Sequence, residues 1–262
     1  MSAPASIAHD PTARLDSLVW RGDRLAAPAA PGLPTGHPPL DAVLPGGGWP
    51  RGALTELLLP HPGVGELGLL LPLLARVGPR RWAVCIAPPE PLYAPALAAA
   101  GVPLERLLLV EAASPAHARW AARQALASGS CDVVLLWLAD ADMGALRRLQ
   151  LAAEENTTPL VLLRPDSLAR QPSPAALRLA LAALPGGVEV RILKRRGPPL
   201  TDPIAIQLPG LAAAGLQSSG PRSAPVVLSP RPGSRAGLAS VHALVRPLPS
   251  RPGPAGIHPG AP

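Results

Sequence analysis

A Pro/Gly-rich turn between two apolar runs is the stretch whose residue types and spacing come nearest to a known chemistry. Residues 57–68 read LLLPHPGVGELG, and a phosphate-binding loop has the pattern G-x-x-x-x-G-K-[ST] between a strand and a helix. Pro60, Gly63, Gly65, Glu66 and Leu67 fall in the frame of that pattern. In such a loop backbone N–H groups and the lysine bind phosphate, and the hydroxyl binds Mg²⁺. The spacing is therefore that of a nucleotide site.

The residues in this frame do not supply that chemistry. Pro60 stands at the first glycine position, where it fixes φ and has no N–H to offer a phosphate. Glu66 replaces the lysine, and one charge pair at 4 Å is worth about 4 kcal/mol at an effective dielectric of 20, so the reversed charge repels phosphate. Leu67 replaces the hydroxyl. We expect no ATP binding, no hydrolysis and no cofactor.

The elements around this turn predict an α/β domain. Short apolar strands that alternate with helices of 10–15 residues indicate a parallel sheet covered on both faces. The predicted strands are 53–59, 82–87, 107–110, 133–138 and 160–163, and the predicted helices are 66–76, 91–100, 115–128 and 143–155. After Pro174, segments 176–183, 187–194 and 203–208 predict antiparallel strands that extend the sheet.

Three regions divide the 262 residues: an N-terminal helix and linker (1–36), the α/β domain (37–209) and a Pro/Gly/Arg-rich tail (210–262). The chain is 48% hydrophobic and carries a net charge of +7. The tail holds Arg but no Asp or Glu, so the basic excess is concentrated there. Such a tail is either solvated and flexible or in contact with nucleic-acid phosphates.

The N-terminal helix is a candidate partner-docking element. Residues 12–26 place Leu15, Leu18 and Val19 on one face, with Trp20 beside them, and a Pro/Gly-rich stretch separates them from the domain. An isolated helix of this length is marginal in water and needs a surface to lie on. That surface belongs either to this chain's own domain or to a partner.

Composition also limits the compartment and the chemistry. Cys85 and Cys131 lie in separate apolar runs without a C-x-x-C motif, which fits a reducing cytoplasm. The first residues show no signal segment, and the apolar runs are too short to span a bilayer. The six His show no metal-ligand spacing, so we expect no metal site.

The stretch LDAVLPGGGWPRGALTEL resembles the entry to the RecA recombinase core. Further similarities follow in order: PLYAPALAAAGVPLERLLLV, ASGSCDVVLLWL and VEVRILKRRGPPLTDPIAIQL. The matching positions of the entry are Leu40, Asp41, Leu44, Gly47, Gly48, Pro50, Gly52 and Glu56. The resemblance implies a RecA-like P-loop NTPase fold with a mostly parallel central sheet, flanked by helices, and a degenerate nucleotide site.

More narrowly, GGGWPRGALTELL, GVGEL, ADMGALRRLQLAAEE and LKRRGPP resemble the ImuA family, which is also described as SulA-like. The resemblance implies a non-catalytic adaptor in SOS-induced mutagenic translesion DNA synthesis. It implies RecA and ImuB as protein partners, an indirect association with DNA, and neither a membrane nor a small-molecule substrate.

The remaining catalytic positions of the RecA pattern also depart from it. Trp137 stands where Walker B has Asp, the catalytic Glu falls near Pro89, and the phosphate-sensing Gln falls near Pro165. The two loops that bind DNA in that family are short here, with Arg164 and Arg170 the cations of the second. The sequence therefore predicts no enzyme.

A basic cluster, Lys194, Arg195 and Arg196, precedes a Gly-Pro-Pro turn. It is either a solvated turn or a contact for a partner or a phosphate. Two alternatives to the translesion adaptor also stay open. One is a SulA-like cell-division inhibitor that acts on FtsZ, and the other is a residual ATPase with a relocated site.

Overall fold

The computed structural model describes residues 31–208. The helices and strands, numbered in chain order, have the following bounds: α1 Pro38–Asp41, β1 Leu54–Leu59, α2 Glu66–Leu74, β2 Trp82–Ile86, α3 Ala94–Ala99, β3 Leu107–Val110, α4 Pro115–Ala127, β4 Cys131–Trp137, α5 Met143–Glu155, β5 Leu160–Pro165, β6 Leu177–Leu184, β7 Gly187–Lys194 and β8 Ile204–Gln207. Short 3-10 turns precede β3 and follow β5.

The strands form one eight-stranded mixed sheet in the order β3-β2-β4-β5-β1-β6-β7-β8. Strand β1 pairs in parallel with β5 and β6, and β4 pairs in parallel with β2 and β5. Strand β7 is antiparallel to both of its neighbours, β6 and β8. Every residue of β1 is buried, because helices or loops cover both faces of the sheet at its centre.

Alternate residues of the central strands belong to two separate hydrophobic layers, one on each face of the sheet. In β4, Val133 and Leu135 join the layer that packs against α2 and α3, whereas Val134 and Leu136 join the layer under α4 and α5. This division follows from the two-residue period of a strand. The loop after β1 consequently begins at the buried middle of the sheet, between the two helical layers.

One expectation from the sequence is corrected here. The prediction of a RecA-like P-loop NTPase fold is wrong: the described residues form an α/β domain with a mixed sheet, and a carboxylate closes the loop after β1. Alternation of strands and helices is common to many α/β domains, so it could not specify that family. The antiparallel strands predicted after Pro174 are confirmed, since β6 pairs with β7 and β7 with β8 in that way. The parallel pairing of β6 with β1 was not predicted.

The predicted N-terminal helix and the tail lie outside the described residues. The described chain starts with an extended segment that is bridged to the residues before β1. Leu33 pairs with Trp49, and both backbone N–H groups donate to the other residue's carbonyl, at 2.8 and 2.7 Å. Trp49 is fully buried, so this bridge lies against the hydrophobic core.

Candidate functional site

The turn after β1 has the backbone geometry of an anion nest. Gly63 and Gly65 adopt φ values of 82° and 117°, in the left-handed region that favours glycine. Gly65 is the N-cap residue of α2, which begins at Glu66. Left-handed residues at the start of a helix turn successive backbone N–H groups toward one point. The turn therefore offers donors to a negative group.

The negative group that receives these donors belongs to the chain itself. Glu66 Oε1 accepts a hydrogen bond from the N–H of Gly63 at 2.8 Å, and Oε2 accepts one from the N–H of Gly65 at 3.1 Å. The side chain is only 4% exposed. A carboxylate at a helix N-terminus is also stabilised by the helix dipole. Glu66 thus takes the place that a nucleotide phosphate would need.

The other residues of the predicted nucleotide frame give no support to phosphate chemistry. Pro60 is exposed at the start of the turn, and Leu67 is partly buried in the first turn of α2. Trp137 ends β4 and packs against the core, and its buried indole Nε1 has no hydrogen-bond partner within residues 31–208. Neither Leu67 nor Trp137 carries an oxygen ligand for Mg²⁺.

A buried charge cluster that the sequence analysis did not identify joins three strands. Glu56 of β1 is fully buried, and Arg164 of β5 and Arg178 of β6 are nearly so. The carboxylate of Glu56 accepts from Arg164 Nη1 at 3.2 Å and from Arg178 Nε at 2.7 Å. Ser173 Oγ donates to the same carboxylate at 2.9 Å. Charged residues inside otherwise apolar strands were the signal for this cluster.

The two arginines of this cluster also hold the neighbouring loops. Arg164 Nη2 donates to the carbonyls of Ala139 and Ala141, and Arg178 donates to those of Leu168 and Ala169. These are the two loops that the RecA resemblance compared with DNA-binding loops. Arg164, which was counted there as a cation for DNA, is instead buried and bound within the domain. Its role is structural.

Two side chains of the basic cluster, Lys194 and Arg195, also form hydrogen bonds within the domain. Lys194 Nζ donates to the carbonyl of Ser173 at 2.9 Å, and Arg195 donates to the carbonyls of Pro198 and Val43. Arg195 and Arg196 line a cavity of about 200 Å³ together with Arg51. Within residues 31–208, Arg51 and Arg196 form no ion pair. This cluster is therefore only partly a solvated turn.

An exposed aromatic residue marks a surface formed by α4 and α5. Trp120 on α4 is 63% exposed, and it borders a cleft of about 160 Å³ with Arg119, Arg123 and Arg148. Trp and Arg are enriched among residues that dominate protein–protein binding energies. The combination is suited to a protein partner with acidic groups.

The described residues contain no group of three or more His, Cys, Asp and Glu side chains that could hold a metal ion. No helix within them is long and apolar enough to cross a membrane. Burial raises the pKa of the Cys85 thiol to about 12, and it also raises the pKa of Cys131. These thiols are not nucleophiles, since the thiolate is the reactive form. The partner candidates Leu15, Leu18, Val19 and Trp20 lie outside the described range.

Comparison with known proteins connects this domain with one family. The family model described as cell division inhibitor SulA matches residues 52–159, from the entry of β1 to the end of the loop before β5. SulA of Escherichia coli O81 (strain ED1a) is 35% identical over 102 residues, which are 38% of this chain and 60% of that protein. SulA of Photorhabdus laumondii is 32% identical over 111 residues, 42% of this chain and 63% of that protein. The central segment of the chain is thus similar to SulA.

The solved structures include a SulA-like neighbour too. The crystal structure of SulA from Pseudomonas aeruginosa is 30% identical, with 42% of this chain and 97% of that chain covered and a TM-score of 0.37. The chain spans about 60% of the length of the curated SulA proteins that it matches. The SulA match, rather than a RecA-like P-loop assignment, identifies the central segment. It includes the capped turn and the Trp120 surface, but it ends before β5.

Proposed function

We propose that the chain is a non-catalytic regulator of the SulA type, which inhibits cell division in the cytoplasm by binding FtsZ. The match of residues 52–159 to the cell division inhibitor SulA carries this proposal. The turn after β1 supports a role without catalysis, because the Glu66 carboxylate takes up its N–H groups. A protein that acts by binding needs a surface and no reaction centre.

The α4/α5 surface is the best candidate for that contact. It lies inside the matched segment, and Trp120 offers a large exposed aromatic ring beside the guanidinium groups of Arg119, Arg123 and Arg148. A ring of this kind becomes a hot spot when a partner buries it, whereas the arginines around it steer an acidic partner. We therefore place FtsZ on this surface.

A binding experiment with purified FtsZ tests the proposal. Wild-type chain on a sensor surface should bind FtsZ, and Trp120→Ala should weaken binding by about 2 kcal/mol or more, the scale of a hot spot and roughly 30-fold in Kd. Leu193→Ala is the matched control, because Leu193 is 40% exposed but lies outside the matched segment. Absence of wild-type binding would reject FtsZ as the partner. Equal binding by Trp120→Ala would reject the surface.

A second candidate function is the ImuA-type translesion adaptor with RecA and ImuB as partners. One observation favours it: the sheet continues for four more strands, β5 to β8, after the SulA match ends at residue 159. The Arg195/Arg196 cavity lies partly on this extension. Its surface is therefore available for a contact that the matched segment does not provide.

A pull-down from DNA-damaged cells separates the two functions. Co-purification of RecA and ImuB, lost in Arg196→Ala but kept in Trp120→Ala, would favour the translesion adaptor. Co-purification of FtsZ with the opposite dependence on these two variants would favour the division inhibitor. Overexpression gives a further distinction, because only the division inhibitor should produce filamentous cells.

A further inference from the structure

Two neighbouring cavities lined with arginine lie at the edge of the sheet where the parallel strands begin. The first has a volume of about 200 Å³, and Arg51, Arg195 and Arg196 are among its lining residues. The second has a volume of about 320 Å³, and Arg51, Arg76 and Arg81 are among its lining residues. Because Arg51 lines both cavities, the five arginines form one basic surface, which we call the arginine edge.

The strand order spreads the arginine edge along the sheet. Arg81 directly precedes β2, and Arg51 shortly precedes β1. Arg195 follows β7, whose end lies beside the start of β6 because these two strands are antiparallel. Strands β2 and β7 are five positions apart in the sheet, and neighbouring strands lie about 4.8 Å apart. The arginine edge is therefore about 24 Å long, and one strand of a DNA duplex places about seven phosphates along such a length.

Close backbone packing fixes the position of the arginine edge between its two cavities. Gly52 lines the first cavity and Thr157 lines the second. A Cβ on Gly52 would lie 3.0 Å from the Cα of Thr157. Thr157 has a φ of 52°, which is uncommon for a β-branched residue and persists only where the surroundings hold it. The backbone next to Arg51 is consequently held in place before any ligand arrives.

Positive charge is in excess at the arginine edge. Three of its exposed arginines form no ion pair within residues 31–208: Arg51, Arg76 and Arg196. Arg81 pairs with Asp132, which lines the second cavity. Glu154 lines the first cavity and accepts a hydrogen bond from Gln150 Nε2 at 2.7 Å. Five arginines thus face two carboxylates, and this lining favours an anion.

The remaining lining residues indicate which kind of anion fits. Across residues 31–208, the exposed large hydrophobic side chains all lie outside the two linings. Protein–protein interfaces have an apolar centre, whereas protein–DNA interfaces are more polar and far more positively charged. Both linings are also without an aromatic residue on which the bases of a single strand could stack. These features favour a duplex that is contacted through its phosphates.

We propose that the arginine edge binds the phosphate backbone of double-stranded DNA. Arginine guanidinium groups bind phosphate oxygens through charge-assisted hydrogen bonds. Contacts of this kind position a protein on the duplex and read no base sequence. The arginine edge is separate from the α4/α5 surface that we assign to FtsZ, so DNA binding is a further property of this chain.

Three variants of the full chain locate the contact. Arg51→Ala and Arg196→Ala each remove one exposed guanidinium group from the arginine edge. Arg170→Ala is the matched control, because Arg170 is exposed in the loop after β5 and lines neither cavity. That loop is also the one that the RecA resemblance compared with a DNA-binding loop. Arg51→Lys keeps the charge at its position.

Fluorescence anisotropy of a labelled DNA duplex of about 20 base pairs, titrated with each chain at several NaCl concentrations, tests the proposal. The wild type should bind, with an affinity that falls linearly with salt on logarithmic axes. Arg51→Ala and Arg196→Ala should each lower the salt slope by about 0.9 and weaken binding about tenfold at roughly 50 mM NaCl, since each loses one phosphate contact. Arg51→Lys should keep the wild-type slope, and Arg170→Ala should bind as the wild type does.

Three results would overturn the proposal. Absence of wild-type binding at roughly 50 mM NaCl would reject DNA as a ligand. Wild-type affinity and slope in both Arg51→Ala and Arg196→Ala would place the DNA contact elsewhere in the chain. Equal competition by polyglutamate at the same concentration of charge would show that the arginine edge takes an acidic protein segment instead. Circular dichroism melting checks that the variants are folded, as we expect for exposed side chains.

Discussion

At the scale of single residues, Glu66 determines what the turn after β1 can bind. Its two carboxylate oxygens accept from Gly63 and Gly65, so the chain fills its own anion nest. The sequence alone predicted that Glu66 excludes phosphate, because its charge has the wrong sign. It could not predict that the same carboxylate caps the turn, since that depends on a side-chain conformation. The absence of nucleotide chemistry that we expect and the capping of the turn thus depend on the same side chain.

Glu66→Ala should lower the free energy of unfolding by about 1–3 kcal/mol, the cost of leaving buried donors unsatisfied. Urea denaturation measures this. Glu155→Ala, an exposed substitution on α5, is the control and should change stability little. With the carboxylate removed, inorganic phosphate should stabilise the variant more than the wild type. An unchanged stability for Glu66→Ala would contradict the capping role.

Glu56 is the second residue on which the free energy of unfolding should depend strongly, because it neutralises two buried arginines. Glu56→Gln keeps the shape but leaves Arg164 and Arg178 without a counter-charge. We expect a loss of about 3–5 kcal/mol in chemical denaturation. Glu189→Gln is the matched control: its pair with Arg191 is 3.6 Å long and largely exposed, and such pairs contribute about 0–1 kcal/mol. Similar losses for the two variants would contradict a structural role of the cluster.

Cys85 gives a pH dependence with a definite sign. Burial raises its pKa from 9.0 to about 12 in the folded protein. An unfolded thiol releases its proton at lower pH, so the contribution of Cys85 to stability is complete below pH 9 and declines as the pH rises toward 12. Unfolding of Cys85→Ala at increasing pH should show a shallower decline than unfolding of the wild type. Parallel pH profiles would contradict this assignment.

At the scale of elements, periodicity and length identified several segments within the domain. The bounds of β3, α5 and β7 were predicted at 107–110, 143–155 and 187–194, and the structure confirms them. Helix α3 is shorter than predicted because Tyr93, in extended conformation, is its N-cap. The parallel pairing of β6 could not be read from the sequence, because pairing depends on which distant strand lies beside it.

The β7/β8 hairpin depends on one glycine. A Cβ at Gly187 would lie 2.0 Å from the carbonyl oxygen of Ile206, so Gly187→Ala must push β8 away from β7. We expect a loss of about 1–3 kcal/mol on chemical unfolding. Gly78→Ala is the control, since the nearest atom to its Cβ is 3.5 Å away. If both variants have wild-type stability, the close approach of β8 is not required for the fold.

At the scale of the whole molecule, the RecA resemblance depended on the order and spacing of short motifs. The family model that matches the chain is instead that of SulA. An α/β domain with a mixed sheet satisfies both sets of residue patterns, so the patterns alone could not decide the family. The buried Glu56 cluster and the Trp120 surface were not predicted, because their residues are distant in sequence or ordinary in type. We propose that this chain acts through its surfaces rather than through a reaction centre.

The most direct test of this account is sedimentation of FtsZ polymers in the presence of increasing amounts of the chain. We predict a dose-dependent loss of pelleted FtsZ. Glu66→Ala should inhibit as the wild type does under conditions where it remains folded, because the proposed function needs no catalysis at the capped turn. Trp120→Ala should inhibit weakly. Undiminished FtsZ polymer at saturating wild-type chain would contradict the central proposal that this chain acts by binding FtsZ.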